Sequence, residues 1–531
     1  MTMNSAGRPT RPTAADAGYA GRAETFTGAK ALQIEEPLIF EIGDVDASGV
    51  DLPAPAGRAP RLGGLARESA IDLAGLSEPE TMRHFVRLSQ KNYAIDMGPF
   101  PLGSCTMKHN PRLNEKVARL SGFADVHPLS PPASVQGALE LIDRLAFWLK
   151  ELTGMPAVAM SPKAGAHGEL CGMMTIKAAI DARGEGAVRT RVLAPESAHG
   201  TNPATAVQCG FKVDNIPGDA TGRVDLAALK QKLGPDIAAI MVTNPNTCGL
   251  FERDIREIAD AVHEAGGYFY CDGANFNAIA GKARPGDLGV DAMHINLHKT
   301  FSTPHGGGGP GAGPTVLSDA LAPYAPIPHV THDNEGFHLI ETRRAAKAAN
   351  HREGADTVGR LTAFHGQMGM FVRALAFMLS HGVDGVAQAA EDAVLNANYV
   401  LKRLSEEMTP AFEGICMHEA LFDDRFLEGT GVETIDFAKA MIDEGYHPMT
   451  MYFPLVVHGA MLIEPTESES KRELDLFCDT LLSLARRAKA GEVDAFKEAP
   501  VYAPRRRLDE TAAARNPVLR WRKTEAAVAA E

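Results

Sequence analysis

One stretch of the chain restricts its fold more than any other. A short apolar run, Met293 to Leu297, is followed by a lone lysine, Lys299. Shortly after it come six glycines and two prolines within the nine residues Gly306 to Pro314. Regular structure cannot continue through such a run, because glycine is conformationally permissive and proline removes a backbone donor. The apolar run is read as a strand, 293–297, that delivers the lysine to the mouth of a sheet. An amine held partly desolvated there can form a Schiff base. The plainer reading is a surface lysine ahead of a flexible loop, since lysines are mostly exposed.

The glycine run invites two nucleotide readings, and neither holds. Gly306, Gly308 and Gly311 satisfy GxGxxG in form, but a dinucleotide fingerprint joins a strand directly to a helix. Here the run lies nine residues beyond the strand and contains Pro310 and Pro314. No glycine precedes Lys299-Thr300 as a P-loop would require. The run is better suited to letting backbone approach a cofactor or a neighbouring subunit closely.

The surrounding chain alternates helix and strand signals. Helical periodicity covers about 134–153, ending at Gly154, and a second helix runs from near Gly168 to before Gly184. Short strands are expected at 191–194, 237–242 and 268–271. Between them fall helices opened by Pro203, by Asp225, and at about 254–265. This alternation predicts an α/β fold with a mostly parallel sheet covered by helices on both faces. After residue 360 the texture changes to helices at 361–380 and 385–408, strands near 415–420 and 450–463, and a charged amphipathic helix at 468–490. The expected organisation is a disordered arm at 1–28, an N-terminal arm at 29–133, a large domain at 134–384, a smaller α+β domain at 385–500 and a tail at 501–531. Residues 331–356 carry charges without periodicity and read as an insertion or mobile loop.

Open α/β sheets bind ligands beyond the carboxyl ends of their strands. Three chemically active residues fall at such ends: His199 after strand 191–194, Asp272 after 268–271, and Lys299. Alone, a loop histidine is usually a hydrogen-bonded structural residue and a strand-end aspartate a cap. Together they are the parts of a pyridoxal-phosphate site. The lysine is the covalent anchor, the carboxylate keeps the ring nitrogen protonated, and a flat side chain stacks on the ring. A phosphate needs free N–H groups at a helix start, which Ala164-Gly-Ala-His-Gly168 offers without side-chain obstruction. Gly103-Ser-Cys-Thr-Met-Lys108 could close over an anionic ligand or form an ordinary turn.

Composition narrows the function classes. The 531 residues carry a net charge of −14, which argues against a nucleic-acid or anionic-membrane partner. The seven cysteines are scattered with no CxxC pair, and there is no HExxH, so no metal site is expected. Scattered cysteines fit a reducing compartment. Residues 1–28 lack the apolar core of a secretory signal, and a cytoplasmic location is expected.

Several longer motifs resemble one family, the glycine cleavage system P-protein. They are Gly103-Ser-Cys-Thr-Met-Lys108, Gly165-Ala-His-Gly-Glu169, Ser197-Ala-His-Gly-Thr-Asn-Pro-Ala-Thr205, Thr243-Asn-Pro-Asn-Thr247, Asp272-Gly-Ala-Asn275 and Leu297-His-Lys-Thr300. His447-Pro448, Tyr452-Phe-Pro454 and Glu464-Pro-Thr-Glu467 follow in order. The resemblance covers about residues 95–510, and the length matches the split, subunit 2 (β) form rather than the fused chain. It implies a fold-type-I, aspartate-aminotransferase-like architecture with pyridoxal 5'-phosphate as cofactor. It also implies Lys299 as Schiff-base lysine, His199 as stacking residue and Asp272 as pyridinium partner. Gly165, Ala166 and His298 match positions near the phosphate, and Asn244 one near the ring hydroxyl. The implied activity is that of a glycine dehydrogenase (aminomethyl-transferring): glycine loses CO2 and its aminomethyl group passes to lipoyl-H-protein. The implied partner is a P-protein subunit 1 (α) in an α2β2 assembly. Either Lys299 or His199 would carry protons. The competing readings are another fold-type-I enzyme, an aminotransferase or desulfurase, and a non-catalytic partner subunit. The pattern departs from the family at 331–356 and in the first 28 residues.

Overall fold

The computed structural model describes residues 36–521, apart from 45–46, 51, 54–55, 58–60, 70–72, 128, 306–310, 349–350 and 504–505. The arm expected at 1–28 and the first half of the glycine run therefore lie outside the described residues. The chain divides into two compact units: residues 95–438 with 446–493, and residues 1–94 with 439–445 and 494–531.

The larger unit is built on a seven-stranded sheet: β1 (Ala157–Ala159), β2 (Arg191–Pro195), β3 (Lys212–Ile216), β4 (Ile237–Thr243), β5 (Tyr268–Asp272), β6 (Ala292–His294) and β7 (Thr315–Leu317). Their order is β1-β7-β6-β5-β4-β2-β3. The run from β3 to β6 is parallel, whereas β7 is antiparallel to both neighbours. Every residue of β4 and β5 is buried, as a sheet with helices on both faces requires. The helices form where the periodicity placed them. Gln136–Thr153 ends at Gly154 with φ 67°. Asp225 caps Leu226–Lys232 by accepting from the N–H groups of Ala227 and Ala228. One helix covering the sheet, Gly165–Ala182, starts three residues earlier than expected.

Two expectations are corrected. The apolar run at 293–297 is not one strand: β6 ends at His294, and Lys299 sits on the short helical turn Leu297–Thr300. Ile295 and Leu297 are apolar because they pack in the core under the far side of the glycine run, where they donate their N–H groups to Pro314 and Ala312. The described residues from 331 onward are not a structureless loop but form the hairpin β8 (His329–Asp333) and β9 (Gly336–Ile340) followed by the helix Arg343–Ala348. The span Met368–Leu404 holds the two helices expected at 361–380 and 385–408, broken from each other at Gly382 with φ 67°. By length and composition it could cross a membrane. Instead Phe371, Leu375 and Met378 pack on the sheet's core.

A second, antiparallel sheet in the same unit runs β10 (Thr409–Pro410), β11 (Ala420–Asp423), β13 (Met461–Ile463) and β12 (Thr450–Met451). The helix Lys471–Lys489 follows, capped by Ser470. In the other unit the helix Glu78–Lys91 is held by Glu36, whose carboxylate accepts from both Arg87 (2.6 and 2.7 Å) and His84 (3.0 Å). There also Asp443 accepts from the N–H groups of Val501 and Tyr502 at 2.8 Å. The described part of the tail carries an exposed short helix, Glu510–Arg515.

Candidate active site

Strand register assembles the site. Thr243 pairs with Asp272 across β4 and β5, and Cys271 pairs with Met293 across β5 and β6. One residue further on, the same register sets Asp272 beside His294. The strand ends Thr243, Asp272 and His294 thus form a row across the sheet, and all three line one cavity of about 220 Å³. This is the carboxyl edge at which parallel sheets place their ligands.

Asp272 is 2% exposed and held ionised. Burial alone would raise its carboxyl, but His294, the Asn202 amide, the Ala274 N–H and Lys299 together keep it below the usual range. Asn202 Nδ2 donates to Oδ2 at 3.0 Å and Ala274 N–H to Oδ1 at 2.9 Å. Tyr270, whose phenol burial keeps protonated, donates to His294 Nδ1 at 2.6 Å. That leaves His294 Nε2 as the N–H, 3.4 Å from Asp272 Oδ1. Asn202 and His294 were not identified from sequence. His294 stands one register step beyond the last β5–β6 pair, so correct strand ends would have exposed it.

Lys299 is 7% exposed, and its Nζ donates to the Ser104 carbonyl at 2.7 Å. Gly103-Ser-Cys-Thr-Met-Lys108 therefore meets the lysine with backbone. Lys108 buries its own ammonium against Glu467 (2.6 Å), Asn277 and the Thr300 carbonyl, which fastens the turn carrying Lys299. Cys105 lies near Lys299, but burial pushes its thiol up rather than activating it. A desulfurase-type nucleophile gains no support there.

The phosphate expectation rests on the start of Gly165–Ala182. Its N-cap residue, Ala164, supplies no side-chain cap, so the first-turn N–H groups are left for a ligand, and Ala164, Gly165 and Ala166 line the cavity. A Cβ on Gly165 would stand 2.4 Å from Asn296 Oδ1, and one on Gly313 2.1 Å from the Ala164 carbonyl. The described end of the glycine run thus serves close approach of backbone to the segment that opens this helix. His298 lines the cavity, held neutral at about 3 by burial, His305 and Lys299.

His199 also lines the cavity but is exposed, with its ring edge-on to Phe453 at 5.7 Å. Its Nδ1 accepts from the Thr201 N–H at 3.2 Å, and the Thr201 hydroxyl donates to Glu169 at 2.7 Å. Burial and the nearby Asp272 charge raise Glu169 to about 7. Asn244 turns its side-chain oxygen to the Glu252 N–H at 3.0 Å.

The residues fit pyridoxal 5'-phosphate. A buried amine, an ionised carboxylate and an uncapped helix start surround one cavity. Among the described residues, Thr243 Oγ1, Asn275 Oδ1, Asn296 Oδ1 and Ser104 Oγ are buried without a hydrogen-bond partner. Buried polar atoms of this kind are ordinarily satisfied, so four around one cavity point to a polar occupant.

Comparison with known proteins agrees with this geometry. Residues 389–504 match the family model for the glycine dehydrogenase C-terminal domain, and residues 189–309 match that for aminotransferase class-V. A probable glycine dehydrogenase (decarboxylating) subunit 2 of Caulobacter vibrioides is 67% identical over 99% of each chain. Another, from Desulforamulus reducens, is 48% identical over 92% of this chain and 99% of its own. Among solved structures, a glycine decarboxylase (P-protein) of the glycine cleavage system in inhibitor-bound form superposes with a TM-score of 0.66 at 21% identity, over 80% of this chain and 93% of that one. An Oryza sativa TDC with pyridoxal phosphate and tryptamine gives 0.60 at 14% identity, over 81% and 92%. These two likenesses carry the fold alone, which is the fold-type-I architecture.

Proposed function

Because the chain belongs to the glycine dehydrogenase (decarboxylating) subunit 2 family, we infer that it decarboxylates glycine, with pyridoxal 5'-phosphate held in the cavity beside Lys299. The observation that carries this reading is the convergence of Lys299, ionised Asp272 and the uncapped helix start on that one cavity.

Bound there, the cofactor supplies an electron sink for the pair left when the carboxylate of glycine departs as CO2. Lys299 is the amine that would anchor it covalently, and shielding by the 103–108 segment keeps that amine from bulk water. Asp272 would hold a proton on the ring nitrogen, and its own ionisation is secured by Asn202, Ala274 and His294. The first-turn N–H groups of Gly165–Ala182 would take the phosphate, with Gly165 and Ala166 keeping the approach clear. His298, being neutral, adds polarity without adding charge. His199 stands at the open side, where it would cover the ring. Lys299 and His199 both remain in position to carry protons.

The subunit 2 relatives support a subunit 1 partner. We place lipoyl-H-protein as acceptor of the aminomethyl group, an α2β2 assembly, and a cytoplasmic setting. An exposed apolar segment next to the Phe453 ring that packs on His199 supports docking there. Leu455 is 84% exposed and Val456 42%, while their neighbour Phe453 touches His199.

The test is exchange of labelled bicarbonate into the carboxyl of glycine by the chain with subunit 1 and lipoyl-H-protein. Exchange that needs all three supports the assignment. Robust transamination without exchange would reassign the chain to another fold-type-I activity.

A further inference from the structure

Behind the cavity lies a buried group that the mechanism above does not use. His418, Glu419 and Glu464 are each 0% exposed, and one donor atom of each lies within 4.8 Å of the others. Glu419 Oε2 accepts from the Ser104 N–H at 2.7 Å. On the other side of the same peptide unit, the Gly103 carbonyl accepts from the Thr450 hydroxyl at 2.7 Å. The Gly103–Ser104 peptide is therefore gripped at both ends, and both grips come from the small sheet: Glu419 immediately precedes β11, and Thr450 opens β12.

Two further contacts fix the strap to that sheet. Gly103 donates to the Leu462 carbonyl on β13 at 3.3 Å, and a Cβ on Gly103 would stand 2.3 Å from Leu462 Cγ. Ser104 itself is held at φ 59°, a left-handed conformation that a serine adopts only when its surroundings impose it. The product of that conformation is the direction of the next carbonyl, which receives Lys299 Nζ.

We propose that Glu419 is a positioning residue. Together with Thr450 it clamps the Gly103–Ser104 peptide so that the Ser104 carbonyl docks the Lys299 ammonium whenever the lysine is not covalently joined to its cofactor. The inference rests on the functional reading above, in which Lys299 would anchor the cofactor; an anchoring amine that the amine of glycine displaces is free for part of each turnover. A defined resting place keeps the free amine near the cavity and out of the space glycine occupies. Burial and the neighbouring Glu464 push the Glu419 carboxyl up, so the clamp needs an acceptor oxygen more than a full charge.

The experiment uses the full chain purified with its subunit 1 and freed of cofactor. The rate at which Lys299 is acylated at fixed pH is followed by peptide mass spectrometry. Glu419→Ala should raise that rate about tenfold, the loss of one hydrogen bond to a charged group. Glu419→Gln keeps an acceptor for the Ser104 N–H and should remain near the parent rate. Thr450→Val removes the other grip with little change of shape, and should raise the rate severalfold even if Glu419→Ala fails to fold. Unchanged labelling in folded Glu419→Ala or in Thr450→Val overturns the proposal. So does a stoichiometric divalent metal lost from both Glu419 variants, which would make Glu419 a ligand. If the parent protein takes up no cofactor, the functional reading fails instead, while the labelling still reports the contact.

Discussion

Gly165→Ala should separate cofactor binding from folding. The added Cβ would stand 2.4 Å from Asn296 Oδ1 and 3.2 Å from Asn296 Cγ and Nδ2. It meets the end of one side chain rather than backbone, and that oxygen has no protein partner among the described residues to be sacrificed. Overpacking of this kind costs about 1–3 kcal/mol. The cost falls on the side chain facing the helix start, so it should appear as a roughly 5- to 150-fold weaker cofactor Kd. The unfolding midpoint of the cofactor-free protein should move little. Gly273→Ala is the contrasting control. Its Cβ would lie 1.9 Å from the His294 carbonyl, a backbone atom that cannot swing aside, so this variant should lose stability outright. Cofactor titration by absorbance, with thermal unfolding of the cofactor-free chains, reads both. A Gly165→Ala protein with parent cofactor affinity would refute the placement of the phosphate.

Two other outcomes follow from the same geometry. Asp272→Asn replaces a carboxylate that accepts from both Asn202 and Ala274. Carbon dioxide exchange should fall by about two orders of magnitude or more, and unfolding should show a loss of about 2–4 kcal/mol. Glu353 is raised to about 7, chiefly by burial. A raised carboxyl makes the folded state bind the proton more tightly, so its cost to stability is absent below the unfolded value and grows as pH rises through about 7. Glu353→Gln should therefore raise the unfolding midpoint at pH 8 relative to the parent, with little change at pH 5; thermal scans at the two pH values check it.

The parts of the fold that were legible in sequence are those in which one short segment carries its own signal. β4 and β5 are unbroken apolar runs because both faces are covered, and Asp225 and Gly154 announce helix ends by local chemistry. β1 and β7 have only three residues each, and β3 is half polar, so none could be distinguished from loop. The apolar run through Leu297 was read as strand because burial, not extended geometry, made it apolar. At the site, the lysine, the aspartate and the open helix start could be found because their residue types are restricted by their chemistry. Asn202, His294, Ser104 and Glu419 could not, since each matters through a partner far away in the chain: Asn202 reaches Asp272 across 70 residues, and Lys299 reaches Ser104 across 195. Spacing does not record such pairings; strand register does, once the strand ends are known.

The whole reading of the site depends on Lys299 as the anchor of the cofactor. Borohydride reduction of the protein loaded with pyridoxal 5'-phosphate, followed by peptide mapping, tests it most directly. A single pyridoxyl group on Lys299 is expected, with no reducible adduct or visible cofactor band in Lys299→Ala. A stable adduct on another lysine, or one that persists in Lys299→Ala, would contradict it.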